Sequence, residues 1–138
     1  MKRWMVIVLV MIALALGAGT QGFADSGPDK VKAANERAAQ DYLKSGLLLA
    51  GEGQDAEAVK SFRQALGIRP DWAEVHSLLG SALARIGNYS EAEAELRKAV
   101  ALKPDYAEGW NFLGEYLKQR GKEQEAQEAF RKAQQYAR

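Results

Sequence analysis

The sequence predicts an all-α fold: an α-solenoid of three helix-turn-helix units following an N-terminal export signal. Three observations predict it. First, small and large residues recur at a fixed spacing of 34: Gly46, Gly80 and Gly114; Gly53, Gly87 and Gly121; Ala58, Ala92 and Ala126; Ala65, Ala99 and Ala133; with Phe62, Leu96 and Phe130, and Pro70 and Pro104, on the same register. Agreement on six columns marks a repeat architecture. Second, apolar residues inside a unit fall at i, i+3, i+4 spacing on either side of a glycine stop, so each unit is two helices. Third, the chain opens with a charged, then apolar, then small-residue layout that belongs to secretion rather than to a fold.

In that opening segment, Lys2 and Arg3 precede an uninterrupted apolar run from Trp4 to Leu16, and the glycines that follow end in Gly22-Phe23-Ala24. Residues 1–24 therefore read as a signal peptide cleaved after Ala24. The run of 13 residues is short of the ~20 that a bilayer core requires. Cleavage implies a periplasmic or secreted protein. The alternative is an uncleaved anchor in the inner membrane through residues 4–23, the only way in which a membrane enters the expectations. With no cysteine, lipid attachment at a mature N-terminal Cys is excluded.

Residues 25–38 form a leader and N-terminal helix extension; Asp25 to Lys30, polar with Gly and Pro, reads as flexible. Residues 25–34 could also fold back to cover Leu43 and Leu47. The array occupies 39–138, in units 39–72, 73–106 and 107–138. In the second unit Asp71 and Glu74 have the spacing of a capping box. Val75, Leu78, Leu79, Ala82, Leu83 and Ile86 then form one buried stripe. Gly87-Asn88 tolerates the left-handed conformation that ends a helix. Ser90 and Glu93 suggest a second box, and Ala92, Leu96, Ala99 and Val100 make the next stripe. Arg97, Lys98 and Lys103 suit the C-terminal end of that helix, and Pro104 closes it. The third unit repeats the plan with Asp105, Glu108 and Gly121. Close helix approach explains the Gly46 and Ala58 columns, since larger side chains would separate the pairs. The Phe62 column is expected to fill the gaps between one unit and the next.

These residues resemble the tetratricopeptide repeat: an aromatic, two residues, Leu-Gly, then Ala and a large apolar residue four apart, then Pro. Trp110-Asn111-Phe112-Leu113-Gly114 with Ala126, Phe130 and Ala133 fits closely. The second unit has Leu79-Gly80, Ala92, Leu96, Ala99 and Pro104, with His76 in the aromatic place. The first has Tyr42, Gly46, Ala58, Phe62, Ala65 and Pro70, with Ser45 for the leucine. The resemblance implies a groove lined by the first helix of each unit. Its lining is Leu43, Leu47, Ala50 and Gly51; Ser77, Ser81, Ala84 and Arg85; then Asn111, Glu115, Lys118 and Gln119. The expected protein-binding residues are Leu43, Leu47, Ser77, Ser81, Arg85, Asn111, Glu115 and Lys118, and the expected partner is a protein or peptide segment. Family members that grip a chaperone's C-terminal carboxylate use Lys, Arg and Asn on this face; Leu43, Leu47, Leu78, Glu108 and Phe112 stand there here, so that clamp is not expected.

Chemistry has little to work with. The chain has 19 Lys+Arg against 18 Asp+Glu, a formal charge of +1, which supplies no basic field for nucleic acid. Without cysteine and with one histidine, thiolate catalysis, Cys-based zinc sites and two-histidine sites are excluded. His76 is the one candidate general base, and its place in the Tyr42 and Trp110 column reads as packing. Ser77 lies on a different face from it, and the Glu-rich stretches read as solvated surface. No enzyme, metal, cofactor or small-molecule substrate is expected. The expected function is a non-enzymatic scaffold in the cell envelope; the alternative is a structural subunit or dimerising assembly factor of an envelope machine. Gln134 replaces Leu66 and Val100, and Arg120 replaces Ile86, giving the last unit a polar outer face. A monomer is therefore expected, with a homodimer through Tyr136 and Phe130 as the alternative.

Overall fold

In the computed structural model, residues 27–137 are described. The signal or anchor expected over residues 1–24 lies outside them. The described residues form six helices in order: α1 (Pro28–Gly51), α2 (Asp55–Ile68), α3 (Ala73–Arg85), α4 (Tyr89–Leu102), α5 (Ala107–Gln119) and α6 (Glu123–Tyr136). The chain divides into residues 1–35 and a compact unit of residues 36–138. No described helix is long and apolar enough to cross a membrane. Helix α1 begins at Pro28, within the leader and N-terminal helix extension expected over residues 25–38. A proline in the first turn lacks only an N–H that no helix uses, and its φ suits the start. Residues 28–34 belong to that helix.

Each first helix ends in the same way. Gly53, Gly87 and Gly121 have φ of +78°, +85° and +75°. The amide after each glycine reaches back over the last turn: Gln54 N–H to Leu49 O at 2.8 Å, Asn88 N–H to Leu83 O at 2.9 Å, and Lys122 N–H to Leu117 O at 2.9 Å. These are Schellman endings, which need a residue without a Cβ at the left-handed position. Second helices close differently. Arg69 and Lys103 donate to Ala65 O and Ala99 O, and Pro70 and Pro104 then forbid continuation.

The capping boxes do not form. The N-caps of α3, α4 and α5 are Trp72, Asn88 and Tyr106, none with a side-chain cap bond. Asp71 and Asp105 fall one residue too early, and Ser90 falls inside α4. Two of the three intended box partners have stronger offers elsewhere: Glu74 accepts from Lys103 Nζ at 2.9 Å, and Glu93 from Arg97 and Lys122; in the third unit the shift of the N-cap to Tyr106 is enough. A charged donor outcompetes a neutral amide for a carboxylate.

Packing within a unit turns on the glycine columns. A Cβ on Gly80 would lie 2.7 Å from Leu96 Cγ and 3.0 Å from the Ala92 carbonyl oxygen. On Gly46 and Gly114 it would meet the rings of Phe62 at 2.5 Å and Phe130 at 2.6 Å. The large column therefore rests on the glycine of its own unit. One apolar core joins α1 to α6, with Phe62, Leu83, Leu96, Leu117 and Val75 almost wholly buried. Of the predicted second-unit stripe, Val75, Leu79, Ala82 and Leu83 are buried and Leu78 half-buried, whereas Ile86 is 45% exposed. Ile86 caps α3 instead of joining a neighbour, so the change to Arg120 in its column is no sign of a terminal face; Arg120 stacks on the Tyr89 ring at 4.0 Å. Gln134 is exposed as expected, while Leu66 and Val100 in its column are half-buried and buried.

Charge stitches the units together on the same register. Arg63 of α2 donates to Glu91 of α4 at 2.6 Å, and Arg97 of α4 to Glu125 of α6 at 2.7 Å, a step of 28 each time. Arg97 and Lys122 also share Glu93. Burial alone would raise the Glu93 carboxyl, but hydrogen bonds from Lys122 and Arg97 and their charges outweigh it and leave it below its ordinary value.

Two outcomes follow. Gly80→Ala should destabilise by about 1–3 kcal/mol through overpacking, less the helix propensity it gains. Gly67→Ala, in α2 with open space around it, should stabilise by about 0.5–1 kcal/mol; urea midpoints read both. Because the Glu93 carboxyl is depressed on folding, its contribution is present above the unfolded carboxylate pKa and lost as pH falls through the folded value. Between about pH 5 and pH 3, wild type should therefore lose more stability than Glu93→Gln, and equal slopes in urea titrations would count against the network.

Candidate functional site

The face predicted to bind is carried by the first helix of each unit. On α1, Leu43 is half-buried against the core and Leu47 is 46% exposed. On α3, Leu78 and Ser81 are half-buried and Arg85 is exposed; on α5, Asn111, Glu115 and Lys118 are exposed and Phe112 is half-buried. Helical spacing aligns these positions, because residues three and four apart share a face. Helices α3 and α5 touch directly. Between them opens a cleft of about 260 Å³, where Ser81, Ala84 and Arg85 of α3 meet Phe112, Glu115 and Gln119 of α5. The structure thus brings Ser81, Arg85 and Glu115 to one place. Asn111, Lys118, Leu43 and Leu47 lie outside that cleft.

Ser77 is a correction. It is fully buried, so it offers a partner no surface. Its Oγ donates to the Glu74 carbonyl at 2.8 Å and lies 3.4 Å from Tyr106 Oη. The bond to the preceding turn pulls the hydroxyl inward, and Tyr106 then covers it. Burial pushes the Tyr106 hydroxyl above its usual pKa, partly offset by the Ser77 hydrogen bond. Arg85 is exposed but not free: its Nε donates to Asp55 Oδ1 at 2.7 Å, tying the end of α3 to the start of α2.

Tyr116 and Leu96 also line the cleft, and neither was expected there. Tyr116 shares a column with Leu48 and Ala82, where a buried position reads as plain packing. The ring's extra reach is the signal: its hydroxyl donates to the Tyr89 carbonyl at 2.8 Å, crossing from the third unit to the second. Burial also raises its pKa.

His76 sits apart from this face. Its Nε2 donates to the Pro70 carbonyl at 2.7 Å, and its Nδ1 lies 2.5 Å from Glu95 Oε2. Trp110, in the same column, likewise donates to the Pro104 carbonyl at 2.8 Å. The column's task is to hold the turn that enters each first helix. An acid does orient His76, but both ring nitrogens are engaged and the ring is 4% exposed, which is the arrangement of a structural histidine. Among the described residues no group of acids and histidine is placed to hold a metal ion.

Two family models described as tetratricopeptide repeat match residues 49–116 and 107–138. The chain belongs to the tetratricopeptide-repeat family. Solved structures agree on the fold. The second TPR of Spaghetti (RPAP3), bound to HSP90 peptide SRMEEVD, superposes with a TM-score of 0.70 at 20% identity, over 78% of this chain and 98% of that one. The Sgt2 TPR domain from Aspergillus fumigatus gives 0.68 at 21% identity, over 71% of this chain and 65% of that one. Pseudomonas aeruginosa pilF gives 0.70 at 27% identity, over 74% of this chain and 46% of that one. No curated protein matches this tetratricopeptide-repeat chain in sequence.

His76→Phe should keep the ring volume but leave Glu95 and the Pro70 carbonyl without their partner. The expected cost is about 1–3 kcal/mol, read as a lower urea midpoint. Trp110→Phe, losing one bond at a more exposed site, should cost less.

Proposed function

We propose that the chain is a non-enzymatic scaffold that binds a partner protein segment on the first-helix face, within the cell envelope. The observation that carries this reading is the cleft between α3 and α5; on α1, Leu47 is 46% exposed. Apolar side chains left accessible on a rigid repeat face are what a partner's apolar residues would cover. Family membership supports display rather than chemistry, as does a His76 whose ring nitrogens are both engaged. The Spaghetti domain carries a bound peptide; in this chain the face holds leucine, phenylalanine and glutamate, which favours a different class of segment. The envelope location rests on the layout of residues 1–24 alone.

The assembly-factor alternative finds less support. The positions that would meet another unit at the C-terminal end are Gln127, Arg131 and Gln134, all exposed, and polar ends suit a monomer. Tyr136 is 36% exposed and Phe130 half-buried; a dimer would act through these two.

Leu47→Ser removes exposed apolar area and should leave the unfolding midpoint within about 0.5 kcal/mol of wild type. Crosslinking in intact cells should then capture the partner less efficiently. Undiminished capture by both Leu47→Ser and Phe112→Ser would overturn the assignment of this face.

A further inference from the structure

The partner's chemistry is legible on α5. Glu108, Phe112 and Glu115 stand at i, i+4 and i+7, on one stripe of the helix, with the two carboxylates about 10 Å apart along the axis. Phe112 and Glu115 line the cleft, and Phe112 is only half-buried. The carboxylates that join the units are paired: Glu91 with Arg63, Glu125 and Glu93 with Arg97, Asp55 with Arg85. Glu108 and Glu115 are exposed, and no described cation lies within ion-pair distance of either. Among the described residues Arg85 is the only cation lining the cleft, and Asp55 already neutralises it. Lys118, one turn beyond Glu115, makes no ion pair with it.

We infer that the segment bound on this face presents a lysine or arginine to the third unit, its aliphatic stem on Phe112 and its charge between Glu108 and Glu115. The inference rests on the groove reading above and specifies its occupant. Lys and Arg stems cover apolar surface while the charged head stays at its edge, and a cation over an aromatic ring gains further attraction. The chain makes the same pairing internally, with Arg69 over Trp72 at 3.8 Å and Lys132 over Trp110 at 4.4 Å. An acidic segment in this place would meet two unneutralised carboxylates, a repulsion that salt screens at this exposed surface.

The test uses two capped, fluorescein-labelled peptides, Leu-Lys-Ala-Leu-Lys-Ala-Leu and its counterpart with both lysines replaced by glutamate, titrated with the chain in anisotropy measurements. The lysine peptide should bind at least about 10-fold more tightly, a gap of about 1.4 kcal/mol. Glu108→Gln with Glu115→Gln should remove most of that gap, as should a rise in salt from 50 to 500 mM. Equal or tighter binding of the glutamate peptide, still weakened by Leu47→Ser and Phe112→Ser, overturns the charge inference and leaves the groove reading standing. Preference for the lysine peptide that survives the double substitution also overturns it. So does failure of both peptides to bind at millimolar concentration while cellular capture remains sensitive to Leu47→Ser. If neither peptide binding nor cellular capture responds to Leu47→Ser or Phe112→Ser, the groove reading itself fails.

Discussion

The contact between a glycine on each first helix and a large residue on its paired second helix governs the architecture. Gly46 under Phe62, Gly80 under Leu96 and Gly114 under Phe130 bring the helices close enough for a missing Cβ to be structural. That closeness fixes which faces turn outward. With the second helix seated on the glycine side, the first helix presents Leu47, Ser81 and Glu115 on its open side. The exposed face of each first helix is therefore a by-product of how the pair closes. Dispersion at this spacing is what the interior gains from tight packing, and it is repeated in each unit.

Joining the units is a second task, done with different chemistry. Apolar contact is one part of it, since a single core cluster includes buried residues of all three units, among them Val59, Leu83 and Leu117. Polar reach supplies the register: Tyr116 to the Tyr89 carbonyl, Arg63 to Glu91, Arg97 to Glu125. Exposed ion pairs contribute little stability individually. Their directionality still distinguishes one rotation of a unit on its neighbour from another, which apolar burial alone does less well.

Much of this was legible in the sequence, because a repeat states the same constraint several times. The glycine stops at 53, 87 and 121 carry the positive φ that their spacing implied. The capping boxes were misread, since Asp71 and Glu74 have the right spacing but Lys103 claims the glutamate from the other end of the unit. Spacing reports local geometry and is silent about a competitor 29 residues away. Ser77 failed for a related reason: its column lines the groove in the family, but a neighbouring tyrosine and a backbone carbonyl hold the hydroxyl inside. Tyr116 went unnoticed because burial and a hydroxyl bond to another unit leave no periodic trace. His76 was readable as packing from its column alone, and the Pro70 carbonyl supplies the reason.

The ion-pair ladder has a consequence for evolvability. Because Arg97 finds its partner in the next unit at a constant step of 28, an in-frame copy of residues 73–106 placed after Tyr106 would bring its own glutamate to Arg97 and its own arginine to Glu125. Its glycine and leucine would pair with each other, needing nothing from outside the copy. Array length is then a quantity that a single duplication can change while keeping this ion-pair rung, with Ala82 and Asn88 of the copy standing where the third unit has Tyr116 and Lys122. A lineage built this way can lengthen its reach along a partner before altering any residue that touches it.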